Sequence, residues 1–348
     1  MTALPAPGIY FGLPEAVYHA VPALSNSGIK WLMVSPMDFW ARSHLNPDYE
    51  PEEKDCFTLG TAYDVRITEG KGAFYGRYAA ALDPEDHPDA LTTADDLRAA
   101  LRDAGAKVGG NKPDLIARLI EVNPALAANI WDVMLDDHLK HHEGKILLDQ
   151  DTISKVEIAA AMVEHHPQLS KAFTGGYPQV SIFWTCPETG CPMKSRFDYL
   201  KTRAIVDLKT MANPHGKPID RAVTYEMASR RYHIQAAVYQ EAVEALKAMI
   251  RQDRESAVHG EPEPSWVDGL AAANEHAFLF VFLQTGVAPV ARGYQFPKGL
   301  VFDCGKIVVR EMKARYVEYL DRFGESPWVD TTEIRSFADE EFPVFMTE

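Results

Sequence analysis

Hydrophobic and polar positions change their spacing several times along this chain, and each change marks an expected element. Helical spacing comes first, with helices expected near 25–42 and 57–70, the first opening at Ser25-Asn26-Ser27. A helical hairpin is expected between Leu91 and Glu121, followed by helices near 125–142 and 152–166. The period then shortens. Strands are expected near 178–185, 193–200 and 203–209, where apolar and β-branched residues cluster between turn signals. A long helical pattern occupies about 219–251, and Asp253 to Gly269, with its charge, Pro and Gly, reads as a loop. Strands near 276–285 and 289–296 and an amphipathic helix within Lys298 to Phe323 complete the chain. This order predicts an α/β fold: a mixed central sheet flanked by helices, with a small helical hairpin inserted.

The hairpin is well punctuated. Thr93 is a candidate N-cap, and Asp95 and Asp96 suit the positive end of the helix dipole. Leu97 and Leu101 mark one apolar face, and Gly105 suits the position after the helix end. Gly109-Gly110-Asn111-Lys112-Pro113 breaks the pattern, and Leu115, Ile116, Leu119 and Ile120 form a second face. The segment resembles the SAP or helix–extended–helix motif, which implies contact with the phosphates of duplex DNA. Lys107, Asn111 and Lys112 are the candidate contacts, with Arg98, Arg102 and Arg118 nearby. The alternative is an ordinary packing hairpin, because Thr92 to Glu121 holds five basic and five acidic residues. The hairpin divides the chain into an N-terminal part, 1–88, an insertion, 89–124, and the remainder, 125–348.

The candidate chemistry lies in the strand region. Asp198 closes one expected strand, Lys201-Thr202-Arg203 turns, and Ala204-Ile205-Val206 leads into Asp207-Leu208-Lys209. Residues two apart on a strand point to one face, so Asp207 and Lys209 project together. A hairpin partner can bring Asp198 beside them. Two carboxylates and an ammonium on one face suit Mg²⁺-dependent phosphodiester hydrolysis, because hard oxygen ligands hold that ion. A surface ion pair at a strand end is the competing reading of such a short pattern. Gln235 and Tyr239 on the long helix add weight, being four residues apart on one face. Leu59-Gly60-Thr61-Ala62-Tyr63-Asp64 reads as a small-residue turn at a helix.

This set resembles the PD-(D/E)xK nuclease superfamily, which has a restriction-endonuclease-like core. More closely it resembles the exonuclease VIII (RecE-type) branch, itself similar to the nuclease domains of RecB and AddB. Gly8-Ile9-Tyr10-Phe11, Tyr18-His19-Ala20, Leu24-Ser25-Asn26-Ser27-Gly28-Ile29 and Ser35-Pro36-Met37-Asp38-Phe39 resemble that branch's opening segment. The resemblance implies that Asp198, Asp207 and the carbonyl of Leu208 are metal ligands, that Lys209 is the catalytic lysine, and that Gln235 and Tyr239 support the site. The family usually has histidine where Asp64 stands and glutamate where Gln179 stands. Asp64 is therefore a further candidate ligand, and Gln179 a metal-proximal residue. Arg230 and Arg231 are candidate phosphate contacts at the cleft. The implied activity is an exodeoxyribonuclease using Mg²⁺ or Mn²⁺ on free ends of double-stranded DNA, with 5′ to 3′ polarity. A ring-shaped homo-oligomer and a single-strand annealing partner in phage-type recombination are also implied. An endonuclease, or a DNA-binding scaffold with a weakened site, are the alternatives.

Composition narrows this only a little. The 348 residues are 46% hydrophobic, enough for one large domain and a small one. A net charge of −15 argues against a broad basic surface but not against a basic channel. No apolar run approaches a membrane span and no basic leader opens the chain, so a cytoplasmic location in a bacterial or phage-infected cell is expected. Cys56, Cys186, Cys191 and Cys304 lack the close C-terminal spacing of an iron–sulfur cluster, and none is expected. His138, His141, His142, His165 and His166 fit solvated helix faces better than a zinc site.

Overall fold

The computed structural model describes residues 4–50, 55–286, 289–331, 333–343 and 346, with the side chains of 55–58 excepted. Its strands are β1 (Gly8–Tyr10), β2 (Tyr78–Ala80), β3 (Ile146–Leu148), β4 (Gly176–Thr185), β5 (Pro192–Lys201), β6 (Ala204–Ala212), β7 (Val258–His259), β8 (Ala277–Thr285) and β9 (Val290–Phe296). The chain divides into two compact units. Met1–Glu53, Lys171–Phe282 and Gly293–Glu348 form the first, and Lys54–Ser170 with Leu283–Arg292 the second.

The first unit is built on a seven-stranded mixed sheet in the order β7-β1-β4-β5-β6-β8-β9. β4, β5 and β6 are consecutive and antiparallel, as short turns between them require. Val180, Ile182, Phe197, Leu200 and Ile205 from these strands are fully buried, and Phe280 and Phe282 of β8 join the same core. β1 pairs antiparallel with β4 and parallel with β7. Three residues carry no readable period, so this strand was not among those expected from the sequence. Gly8 permits it, because a Cβ there would lie 2.5 Å from the Ala257 carbonyl oxygen.

The long helix expected over 219–251 is two helices, Ile219–Ser229 and Tyr232–Gln252. Arg231 adopts a left-handed conformation, φ 53° and ψ 47°, and ends the hydrogen-bond ladder. No Gly or Pro announces this break. Helix Tyr232–Gln252 packs against Leu300–Phe323, where Gly305 lets the backbones meet: a Cβ there would lie 2.5 Å from the His233 carbonyl oxygen. The expected loop from Asp253 to Gly269 contains a short helix, β7 and the start of helix Pro264–Ala272. Pro264 opens that helix, and Trp266, Val267 and Leu270 bury its inner face, a spacing outweighed in the sequence by flanking charge and Pro.

In the second unit, helix Asp55–Asp64 runs on into a π-helical turn, Val65–Glu69. Buried Arg66 there pairs with Glu157 at 2.9 Å and Glu164 at 2.8 Å, both on helix Gln150–His165. The hairpin appears as Ala94–Asp103 and Lys112–Val122, each opened by a capping box, Thr93 with Asp96 and Asn111 with Asp114. Leu97, Leu101, Leu115 and Leu119 meet Ile130 in a small core of their own with no solvent exposure. Each such leucine contributes roughly 2 kcal/mol through burial. Among the described residues, no helix is long and apolar enough to cross a membrane.

Candidate active site

The register of the β4–β5–β6 meander makes the site. Pro178 pairs with Tyr199 and Val180 with Phe197, which leaves Gln179 opposite Asp198. Tyr199 pairs with Val206, so Asp198 and Asp207 lie on neighbouring strands next to that pair. Asp198 Oδ2 accepts the Leu208 N–H at 2.8 Å, which ties the first acid to the backbone between Asp207 and Lys209. Asp207 has no solvent exposure. Its Oδ1 accepts from Gln235 Nε2 at 2.6 Å, and its Oδ2 lies 2.5 Å from Lys209 Nζ. That short contact is a buried ion pair, in which the Lys209 ammonium also donates a hydrogen bond to the carboxylate.

Helix Tyr232–Gln252 supplies the other wall. Tyr239 donates its hydroxyl to the Arg196 carbonyl at 2.7 Å, which fixes β5 two residues before Asp198. Gln235, one turn earlier on the helix, reaches Asp207 instead. The sequence-predicted cluster of Asp198, Asp207, Lys209, Gln235 and Tyr239 is thus brought together within the first unit. Gln179 sits at its edge with φ 50°, a conformation costly for a residue with a Cβ. Its Oε1 accepts from Arg196 Nε at 3.0 Å, and Arg196 Nη1 also donates to Ser181 Oγ and the Leu13 carbonyl. Asp64 lies in the second unit, at the end of helix Asp55–Asp64.

The electrostatics are those of crowded acids. Burial and the neighbouring Asp207 raise the Asp198 pKa from 3.8 to about 7. Burial also raises that of Asp207, against the pull of Lys209. Burial opposes the charge on Lys209, but Asp207 and Asp198 outweigh it and hold its pKa above the ordinary lysine value. The two acids therefore favour the charged form of Lys209. Tyr239 is raised well above its ordinary value by burial and by the two acids, so it stays a neutral hydroxyl.

Two contributors, Arg196 and Lys30, were given no role from the sequence, and Tyr232, expected beside Arg230 and Arg231 in a region of phosphate contacts, has a different one. Arg196 bridges Gln179 to the loop at Leu13. The Tyr232 ring lies under Lys209 Nζ at 5.2 Å and under Lys30 Nζ at 5.3 Å. Lys30 follows directly on the Leu24 to Ile29 segment that carries the family resemblance. Of the cations expected near the cleft, Arg230 pairs with Glu226 at 3.0 Å, and Arg231 Nη1 lies 3.7 Å from Met33 Sδ.

The hairpin's polar residues are more committed than the sequence suggests. Asn111 spends its side chain capping Asp114, and Lys112 Nζ lies 2.5 Å from Asp132. Arg118 donates to the Lys107 and Gly109 carbonyls, holding the loop between the helices. Lys107 is exposed. Cys186, Cys191 and Cys304 are free thiols, and the side chain of Cys56 lies outside the described residues. His138 Nε2 lies 2.7 Å from the Ala80 carbonyl oxygen, a packing role.

A divalent metal is implied by this chemistry, and the residues fit one. Asp198 and Asp207 offer hard carboxylate donors from neighbouring strands, and both acids carry raised pKa values, so their charges are crowded and a cation between them would relieve both. Among the described residues, no three His, Cys, Asp or Glu side chains converge as a metal cluster, so carbonyl or water oxygens would complete the coordination.

Residues 122–258 match the family described as a PDDEXK-like domain of unknown function (DUF3799), a span that includes all five clustered residues. Residues 93–122 match the SAP domain. The chain thus carries a PDDEXK-like domain and a SAP domain. No curated protein matches it. A solved structure of a provisionally named exonuclease from Eubacterium rectale is similar, with 15% identity over 90% of this chain and 87% of that one, and a TM-score of 0.47.

Proposed function

We propose that this protein is a metal-dependent deoxyribonuclease that hydrolyses linear double-stranded DNA from its ends. The observation that carries the reading is the buried Asp207, held between Gln235 and Lys209 with Asp198 alongside. Asp198, Asp207 and the Leu208 carbonyl would hold Mg²⁺ or Mn²⁺, both of which take oxygen donors. Lewis-acid activation of the attacking water and screening of phosphoryl charge are the chemistry that a bound divalent cation supplies. Gln235 orients Asp207 through its amide. Lys209, held in its charged form, donates to a phosphoryl oxygen and stabilises charge developing there. Tyr239 keeps β5, and with it Asp198, in register. The SAP segment would add duplex affinity, with exposed Lys107 the freest of its candidate contacts.

End dependence, a ring oligomer and an annealing partner are supported by the family resemblance alone. Digestion with Mg²⁺ of a linear duplex and of the same DNA as a covalently closed circle tests the first of these, with Lys209→Ala as control. Loss of only the linear form, and only with wild type, is expected. Loss of both forms would make the protein an endonuclease. Loss of neither, with Mn²⁺ also tried, would overturn the nuclease reading.

A further inference from the structure

Lys30 lies on helix Asn26–Val34, half-buried, and among the described residues it makes no hydrogen bond or ion pair. Its Nζ shares the Tyr232 ring with Lys209 Nζ, at 5.3 and 5.2 Å. Arg231 reaches the same helix one turn further on, where its Nη1 lies 3.7 Å from Met33 Sδ. Of the four cations gathered here, Lys209 is matched by Asp207 and Arg230 by Glu226. Lys30 and Arg231 make no ion pair among the described residues, although Asp207 acts on Lys30 through space. Burial and repulsion from Lys209 lower the Lys30 pKa to about 8, with Asp207 opposing the shift and Arg230 and Arg231 adding to it. The arrangement costs stability as it stands, and an anionic ligand would offset that cost. Tyr232 is 8% exposed and already faces two ammonium groups, so it offers no face for stacking a base.

We propose that Lys30, with Arg231 beside it, is a phosphate-binding residue of the same site. It grips a backbone phosphate of the strand lying across Asp198 and Asp207, independently of sequence. This rests on the nuclease reading above, and the two can fail separately.

The test measures binding of the full chain to a fluorescein-labelled duplex oligonucleotide by anisotropy, from 50 to 200 mM NaCl, without metal and with Ca²⁺. Wild type, Lys30→Met, Lys30→Arg and Lys209→Ala are compared, and thermal midpoints are taken for each. Lys30→Met should weaken binding about tenfold and lower the slope of log affinity against log salt by about 0.7–0.9, one phosphate contact. Lys30→Arg should restore both, and the Lys30→Met midpoint should be unchanged or raised. In digestion, Lys30→Met should raise KM more than it lowers kcat. Wild-type affinity and salt slope in Lys30→Met would overturn the assignment, as would a lowered midpoint that accounts for the weaker binding. Digestion by wild type but not by Lys209→Ala reports on the nuclease reading independently of either result.

Discussion

Asp198→Asn in the metal-free protein isolates the electrostatic cost of this site. Asp198 has its pKa raised from 3.8 to about 7, first by burial and then by Asp207. A group whose folded pKa exceeds its unfolded value favours the fold while protonated. That contribution is full below about pH 4, is lost as pH rises to about 7, and is level above. Roughly three units at about 1.4 kcal/mol each set a ceiling on the order of 4 kcal/mol. Asp198 is partly exposed, and screening reduces the figure to on the order of 2 kcal/mol. Asparagine keeps an oxygen for the Leu208 N–H, so the backbone bond survives the change. Thermal or urea unfolding of wild type and Asp198→Asn in EDTA, from pH 4 to pH 8.5, reads the difference directly. The variant should match wild type near pH 4 and exceed it by about 2 kcal/mol at pH 8, a few degrees in Tm. Added Mg²⁺ should stabilise wild type more than the variant. A variant less stable than wild type at pH 8, or a difference that does not change with pH, would refute the crowded-acid account.

Gln179→Glu places a carboxylate against Arg196 Nε in place of the amide oxygen, 3.0 Å away. It should retain the fold and keep or increase cleavage, as measured by initial rates at limiting Mg²⁺; loss of activity with an intact Tm would show that the position opposes the chemistry. Leu119→Ala removes a fully buried leucine from the small hairpin core and should cost about 2–5 kcal/mol locally. Duplex affinity should fall while the rate on saturating DNA holds, and an equal loss in both would tie the hairpin to catalysis. Arg231→Gly relieves a left-handed conformation at φ 53° and should raise stability by about 1 kcal/mol while weakening DNA binding. A destabilised Arg231→Gly would mean that the Met33 contact outweighs the strain.

The strands that carry the chemistry were legible because their signals are local. β5 and β6 fall within three residues of their expected bounds, and the hairpin caps stand where Thr93 and Asn111 place them. Asp207 and Lys209 share a face because a strand has period two, and the β5–β6 turn delivers Asp198. What was not legible depends on partners distant in sequence. β1 is a strand only because β4 and β7 flank it. The break at Arg231 is imposed on a residue that does not favour it. Lys30 joins the site from a helix about 180 residues upstream of Lys209, a contact no local period encodes. Asn111 and Lys112 have the chemistry of phosphate contacts, and the fold engages them in a cap and an ion pair.

The unfavourable features gather in one place. The two described non-glycine residues with positive φ are Gln179 and Arg231, one opposite Asp198 and one immediately before Tyr232. Close by are two acids with raised pKa values and the Lys30 ammonium, which makes no ion pair and is repelled by Lys209. A sheet whose core includes Val180, Phe197, Leu200 and Ile205 can hold such a cluster rigid. Each electrostatic element of the cost has the sign that a cation and a polyanion would reverse: a metal offsets the acids, and phosphates offset Lys30 and Arg231. If that is the origin of the strain, metal and DNA together should stabilise the protein by more than the sum of either alone. Thermal midpoints with Ca²⁺, with duplex, and with both would measure this coupling. Simple additivity would mean that the acids and the cations are balanced separately and that no single ligand complex spans them.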